Sequence, residues 1–331
     1  MKMRNWLKTT LAMGLVAATG SVLVGCGCDE EISYAAGMTA YHEVLSSTGA
    51  PTADIKEAAK DGFTLSYTFK NQTFTDDGTK DALNTTNIKV ESIPGDNGIS
   101  KVTKKTKAGN ADEVTATVIY AKTKVGEDTE ASFAFYGADK KEITPPEGTY
   151  GAIDFEHAYF NNVLMGMMYL GNGADFGYLT DVIDLDKETA YKDAEDIVKK
   201  FNEDNNKTAS ATNVKKVLTA KFVKNGDTYK LTLGIERTSW VAGETADTWV
   251  ATVDNQQVTF EIKDKTITKI NATSTQKVGD KQKKDKSFEI TVEYKKPALT
   301  AETSITTGGA AQNDLISEQF GNSKATLVYS A

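Results

Sequence analysis

The sequence predicts an α+β fold in which curved antiparallel β-sheets pack on a few helices. Apolar and polar residues alternate over many short stretches, for example from Tyr229 to Ile235, as they do in strands with one buried face. Turn signals such as Asn225-Gly226 separate consecutive strands and favour hairpins. Strands joined by short hairpins pair antiparallel. Helical periodicity is confined to a few segments, so strands dominate the expected fold.

The first predicted elements are helical. Four apolar residues recur at the spacing of one helix face: Tyr34, Met38, Tyr41 and Leu45. Gly49-Ala50-Pro51 interrupts this pattern, and Thr52 is placed to cap a second helical segment that runs to Lys60. We therefore expect folded structure to begin soon after the N-terminal segment.

Five strands are predicted in the section that follows. Their apolar residues lie in the stretches 63–69, 88–93, 99–107, 114–120 and 131–135. Asp77-Gly78 and Asn97-Gly98 mark turns, and Pro94-Gly95 ends the second strand. Pro145-Pro146-Glu147-Gly148 closes the section and is the predicted boundary.

The second section is predicted to open with two helices. Residues 153–170 are apolar and aromatic, which indicates a buried helix that ends at Gly171-Asn172-Gly173. A further helix is expected from Lys187 to Asn202, with Asp184 or Asp186 as its cap. Strands are then predicted around 218–222, 229–235, 249–253, 258–262, 267–270, 288–294 and 326–329. Trp249 lies on one of them and is predicted to enter the core.

The order of elements divides the chain into four parts. We predict a signal peptide over 1–25, a lipidated N-terminus and short tether over 26–33, a helix with antiparallel strands over 34–150, and helices with antiparallel strands over 151–331. The last two parts fit either two similar half-barrel-like modules or one domain. The order differs from the alternating strands and helices of periplasmic solute-binding proteins, which argues against that class.

The N-terminal residues have the features of a secretory signal. Lys2, Arg4 and Lys8 precede an apolar run from Leu11 to Val24, which is shorter than the about 20 residues of a membrane-spanning helix. The run ends in Leu23-Val24-Gly25-Cys26, which resembles the lipobox of bacterial lipoproteins. The resemblance implies cleavage before Cys26 and a diacylglycerol on its thiol. An ordinary secretory signal with a chance cysteine is the alternative.

The resemblance also bears on location and on the second cysteine. A lipid-modified Cys26 would not pair with Cys28, so no internal disulfide is expected. Two acyl chains, at about 0.8 kcal/mol per buried methylene, anchor a protein stably where one chain does not. We therefore expect a protein held by Cys26 on the extracytoplasmic face of the cell membrane.

Charge excludes one class of partner. The formal net charge is −8, and the signal segment carries basic residues only, so the remainder is more acidic still. An acidic body argues against nucleic acid as a partner, because nucleic acid selects basic surfaces. Past residue 25 the sequence holds one arginine, Arg237, so a bidentate guanidinium contact with phosphate or carboxylate is available only there.

Residues with catalytic or metal-binding chemistry are few. His42 and His157 are the two histidines, and neither a G-x-S-x-G nor an H-E-x-x-H motif is present. Four carboxylates form a run that suits calcium or helix capping: Asp181, Asp184, Asp186 and Glu188. A calcium-binding loop would require a glycine that is missing. We expect no catalytic residue, no metal and no cofactor.

A methionine-rich aromatic cluster gives the candidate ligand site. Methionine adapts to irregular apolar ligands, and an exposed tryptophan provides a flat apolar surface. The candidate ligand-binding residues are Phe160, Leu164, Met167, Met168 and Trp240. A plain core helix is the alternative. The predicted architecture resembles the LolA/LolB-like lipoprotein carriers, which have a curved half-barrel with helices in its mouth; no motif accompanies this resemblance.

These observations predict a membrane-anchored, extracytoplasmic lipoprotein with a non-catalytic binding role. An apolar small molecule, such as a lipid, is the expected ligand. A structural or protein-interaction role at the cell envelope is the alternative, with a partner that the sequence does not identify.

Overall fold

The computed structural model describes residues 29–46, 50–95, 98–123, 132–136, 142–143, 152–164, 194–245, 248–299 and 318–320. Several sequence-based expectations therefore lie outside the described residues. They include the signal peptide and the lipidation site at Cys26, the boundary at 145–148, the end of the helix predicted over 153–170 with Met167 and Met168, the carboxylates at 181–188, the start of the helix predicted from Lys187, and the strand at 326–329.

The described residues form twelve strands and four helices. The strands are β1 Glu30–Glu31, β2 Phe63–Phe74, β3 Lys80–Ile93, β4 Ile99–Ala108, β5 Val114–Thr123, β6 Ser132–Tyr136, β7 Glu142–Ile143, β8 Val214–Asn225, β9 Thr228–Ala242, β10 Trp249–Lys263, β11 Thr266–Val278 and β12 Lys281–Glu293. The helices are α1 Tyr34–Val44, α2 Ala53–Ala58, α3 Phe155–Tyr159 and α4 Ala194–Asp204, and a π-helical turn, Phe160–Leu164, continues α3.

All twelve strands belong to one antiparallel sheet. Its order is β1-β8-β9-β10-β11-β12-β2-β3-β4-β5-β6-β7, so consecutive strands are neighbours except at two places. At one of them β12 pairs with β2, for example through Val292 and Leu65, which joins the strands of both sections. At the other, β1 pairs with β8. The predicted α+β class with hairpin-connected antiparallel strands is confirmed.

The helices cover one end of one sheet face, which we call the inner face. The face they cover is apolar because strand residues alternate in burial; in β2, Phe63, Leu65 and Tyr67 are buried. Tyr41 of α1 meets Phe260 of β10 edge to face, with ring centroids 5.3 Å apart. These side chains form a single core with Met38 and the apolar residues of α3.

Helix α1 begins as the sequence pattern predicts. The Ser33 side chain caps it by accepting a hydrogen bond from the Ala36 amide at 3.2 Å. Thr52 occupies the predicted cap position of α2, but its hydroxyl donates to the carbonyl of Glu43 at 2.9 Å and makes no cap bond. Gly37 lets α1 approach the sheet, since a Cβ there would lie 2.3 Å from the Phe222 ring.

The predicted position of Trp249 in the core is wrong, and the reason is the length of β10. The apolar sets at 249–253 and 258–262 belong to one continuous strand of 15 residues. Side chains alternate strictly along a strand, and Val258 and Phe260 face the core, so odd-numbered residues face away. Trp249 therefore lies on the outer face and is 39% exposed.

Strand β8 lies close to one edge of the sheet, and other parts of the chain contact its free side. The backbone N–H of Leu218 donates to Oδ1 of Asn202 at 2.6 Å, and Nδ2 of Asn202 donates to the carbonyl of Leu218 at 3.2 Å. The amide of Ile32 donates to the carbonyl of Phe222 at 3.0 Å. Helix α4 thus provides a side-chain amide where a strand would provide a peptide group.

Two buried serines attach the segment before α3 to the sheet. Ser92 of β3 and Ser100 of β4 face each other with their hydroxyl oxygens 2.8 Å apart. Ser92 donates to the carbonyl of Ile153, and the amide of Ile153 donates to Ser100 at 2.8 Å. The two serines thereby bind both the amide and the carbonyl group of Ile153.

Replacement of Ser100 by alanine is expected to destabilise the fold by about 1–3 kcal/mol, because the buried amide of Ile153 loses its acceptor. Chemical denaturation would measure the change in the free energy of unfolding. Ser287→Ala is the control, because Ser287 lies on the outer face of the sheet, in β12. Its change in the free energy of unfolding should stay within about 0.5 kcal/mol. Equal losses for the two variants would contradict a contribution from this network.

Candidate functional site

The methionine-rich cluster is described only at its beginning. Asp154 caps α3 by accepting a hydrogen bond from the amide of His157 at 2.7 Å, and Phe155 stacks edge to face on Phe63. Phe160 is half-buried at the junction between α3 and the π-helical turn, and Leu164 ends that turn. The beginning of the cluster is thus a helix packed on the sheet.

Trp240 lies far from the described part of the methionine-rich cluster. Phe155 contacts Tyr294, whose hydroxyl donates to the carbonyl of Ile267 at 3.1 Å. The row of paired residues through Ile267 continues across β10 to Tyr229 of β9. Trp240 is eleven residues further along β9, which at about 3.3 Å per residue places it roughly 36 Å away. The described part of the cluster, from Phe155 to Leu164, therefore lies far from Trp240.

The apolar half of the inner face is filled by the protein's own side chains. Met38 and Tyr41 of α1 are at most 1% exposed, and so are the sheet residues Phe260 and Ile290 beneath the helices. Burial also raises the pKa of the Tyr159 hydroxyl well above its usual value, so this group stays neutral. The described helix–sheet interface has the properties of a packed core.

The same face becomes polar beyond the helices. One row of directly paired residues crosses five strands, from β8 to β12, and consists of Lys216, Arg237, Asp254, Gln276 and Lys284. Within this row, Gln276 Nε2 donates to Asp254 Oδ1 at 2.7 Å. Asp254 is 6% exposed and Lys284 8% exposed, so charged groups of both signs are buried here.

A second polar row lies between that row and the core. It contains Gln256, Ser274 and Lys286, paired in that order across β10, β11 and β12. Gln256 is 2% exposed and Ser274 1% exposed. Neither the Gln256 Nε2 nor the Ser274 hydroxyl has a hydrogen-bond partner. Buried polar groups are nearly always paired, so two adjacent unpaired groups require an explanation.

We refer to these two rows together as the polar band. It holds four cationic side chains and one carboxylate, in a protein whose net charge is −8. The four cations, Lys216, Arg237, Lys284 and Lys286, also interact with other groups of the chain. Positive charge, an amide and a hydroxyl together suit an anionic ligand with several acceptor oxygens.

Two tryptophans lie on the outer face at one end of the sheet. Trp240 pairs with Ala251, and Trp249 pairs with Ala242, so the indoles are diagonal neighbours on the same side. We call these four residues the tryptophan patch. Trp240 is half-buried, and Trp249 is exposed. No ring contact of either indole with another aromatic side chain occurs among the described residues.

The histidines lie apart from the polar band. His42 is on α1, where its Nδ1 lies 3.4 Å from the carbonyl of Leu45 and its ring meets Tyr41 edge to face. His157 is on α3, and its backbone amide donates to the capping side chain of Asp154. Across the described parts of the chain, no cluster of metal-binding side chains occurs and none of the helices has the length and apolarity to cross a bilayer.

No model of a known protein family matches the chain, and no curated protein matches it. The function must therefore be argued from the residues themselves.

Proposed function

We propose that this chain is a membrane-tethered, extracytoplasmic lipoprotein that binds a polar, anionic ligand at the polar band without chemical conversion. The observation that carries the proposal is the pair of buried, unpaired groups on Gln256 and Ser274, in a band that also holds four cations. The tether is supported by Leu23-Val24-Gly25-Cys26 in the sequence.

A polar ligand is favoured over an apolar one by the burial of the inner face. The sequence alone favours a lipid between helix and sheet. In the described interface that space is occupied by side chains such as Met38 and Phe260, each at most 1% exposed. The unpaired groups of Gln256 and Ser274 lie on the part of the face beyond the helices, while Asn162 and Gln319, beside the helices, also carry unpaired atoms. A ligand that accepts hydrogen bonds from Gln256 and Ser274 would remove the cost of leaving them unpaired, about 1–3 kcal/mol each.

Arg237 has a specific part in this proposal. Its guanidinium group is the planar donor that matches a carboxylate or phosphate with two parallel hydrogen bonds. It pairs directly with Asp254, which is itself bound by Gln276. Because Arg237 also interacts elsewhere in the chain, the ligand would add to or exchange with intramolecular contacts.

The proposal is tested by thermal unfolding of the full chain, purified from membranes in detergent, with phosphate, citrate or glucuronate as probes. A ligand at 100 times its dissociation constant stabilises a protein by about 2.7 kcal/mol, which gives a measurable rise in Tm. Arg237→Gln should abolish the rise. Lys269→Gln removes the same charge from the outer face and should retain it; Lys269 pairs there with Glu289 at 2.8 Å. The absence of a rise with all three probes would count against an anionic ligand.

Gln256→Met and Ser274→Ala separate ligand binding from stability. Without ligand, both variants are expected to be at least as stable as the parent protein, because each removes a buried group that has no partner. With ligand, both should lose most of the rise in Tm. A large loss of stability without ligand would show that the two groups are needed for folding, and an undiminished rise would show that they do not touch the ligand.

A protein-interaction role is the second candidate. Its supporting observation is the exposed tryptophan patch, as one part of a larger contact on the outer face, together with the packed described core. Native mass spectrometry of the membrane-purified protein distinguishes the two: extra mass of a small anion supports the first role, and a bare mass that stays bare with all probes supports the second.

A further inference from the structure

The tryptophan patch lies at the end of the sheet opposite β1. Glu30 of β1 pairs with Lys224, close to the hairpin that joins β8 to β9. Strand β9 runs away from this hairpin, and Trp240 is twelve residues beyond Thr228, a distance of about 40 Å. A lipid on Cys26 is four residues from Glu30 and therefore within about 14 Å of it. The proposed anchor thus holds the end of the sheet remote from the patch.

The strands hold the two indoles in fixed positions. Each tryptophan has an alanine directly opposite on the paired strand. As diagonal neighbours, the two residues have Cα atoms about 7–8 Å apart. The amide of Gly243 donates to the carbonyl of Thr248 at 2.9 Å, which closes the hairpin beside the patch. The arrangement is therefore a preorganised aromatic platform, which lowers the entropic cost of binding.

The size of the patch limits what can occupy it. Two tryptophans bury about 300–500 Å² in total if both are fully covered. A stable protein interface buries about 800 Å² on each partner, so the indoles alone are too small for one. The platform is an open strand face and does not enclose an acyl chain. The acidic net charge of −8 disfavours nucleic acid, the other polymer that stacks on aromatic rings.

Hydrogen-bonding side chains extend the platform across the outer face. Thr238 precedes Trp240 by two residues and pairs with Val253 of β10 and with Lys215 of β8. Val253 pairs with Lys277 of β11. Hydroxyl and ammonium groups therefore lie beside an apolar aromatic surface. A sugar ring has the matching chemistry, with an apolar C–H face and hydroxyls around its edge.

We propose that the tryptophan patch binds a glycan chain by stacking of sugar rings on Trp240 and Trp249. The site faces away from the anchored end, so it presents the platform to polysaccharide outside the membrane. It is independent of the polar band, which lies on the other face, and either site can fail without the other.

The test uses intrinsic fluorescence of the full chain. The sequence holds three tryptophans, and Trp6 lies in the predicted signal peptide, so the processed protein reports on Trp240 and Trp249 alone. The probes are chitohexaose, cellohexaose, maltohexaose and purified peptidoglycan. We expect saturable fluorescence quenching with at least one of them, and co-sedimentation of the protein with the matching insoluble polymer.

Trp249→Ala is expected to weaken binding about ten-fold, as the loss of one stacking contact of about 1.4 kcal/mol implies. Leu83→Ala is the matched control, because Leu83 is an apolar residue on β3 that is 44% exposed. It should bind like the parent protein. Trp249 is exposed, so its replacement should leave the unfolding transition in place. Failure of all four probes, or co-sedimentation that survives Trp249→Ala and Trp240→Ala together, would overturn the proposal.

Discussion

Replacement of Cys26 by alanine is expected to release the protein from the membrane almost completely. The mature chain has no other predicted anchor, and its acidic charge gives no attraction to anionic lipid. With about 0.8 kcal/mol per buried methylene, two acyl chains dominate membrane affinity, whereas a single chain binds only marginally. Membrane fractionation of the producing bacterium, with a clickable fatty acid as label, would measure both attachment and acylation.

Cys28→Ala is the matched control for this experiment. It removes a thiol two residues away and leaves Leu23-Val24-Gly25-Cys26 unchanged, so the protein should remain labelled and membrane-bound. Label that persists in Cys26→Ala and disappears in Cys28→Ala would assign lipidation to the second cysteine. Retention of unlabelled protein in the membrane by Cys26→Ala would contradict the lipid anchor itself.

Replacement of Phe260 by alanine is expected to destabilise the fold by about 3–5 kcal/mol. Phe260 is 1% exposed and contacts Tyr41 of α1. Its replacement by alanine therefore leaves a cavity between the sheet and the helix. Denaturant unfolding followed by circular dichroism would give the change in the free energy of unfolding. A change of this size is a large fraction of the stability of an ordinary domain.

Gln257→Ala tests the same strand on its opposite face. Gln257 is exposed, three residues before Phe260, and the change should stay within about 0.5 kcal/mol. The contrast depends on β10 being one uninterrupted strand with even-numbered residues inward. A large effect of Gln257→Ala together with a small effect of Phe260→Ala would mean that the register of β10 is wrong, and with it the outward position of Trp249.

Local alternation predicted most strands but not their lengths or partners. Phe63 to Phe69 and Tyr229 to Ile235 were identifiable because one face of each is apolar throughout. In β10 the apolar residues change from odd to even positions, and the pattern suggested two strands where there is one. The pairing of β12 with β2 leaves no local signal, because the residues that pair are far apart in sequence. The pairing of strands that are distant in sequence therefore could not be predicted from local patterns.

The polar band was missed for a related reason. Asp254 and Gln256 have the same parity as Val258, so an uninterrupted strand would have placed them on the inner face. To place Asp254 and Gln256 on the inner face, the full length of β10 had to be known. Polar residues are also mostly exposed, so their presence in a sequence ordinarily argues against a buried position. Arg237 stands out in the sequence by its rarity alone. Its neighbours come from other strands, and only the sheet register brings them together.

The contacts along the free side of β8 bear on how the protein behaves at high local density. A membrane tether concentrates molecules in two dimensions, where an open strand edge can recruit a second copy and start an aggregate. Here the Asn202 amide satisfies both backbone groups of Leu218, and Ile32 does so for the carbonyl of Phe222. The same strand also carries four like charges, on Lys215, Lys216, Lys221 and Lys224. This edge is thus protected against edge-to-edge polymerisation, so copies crowded by the proposed tether can stay as separate molecules.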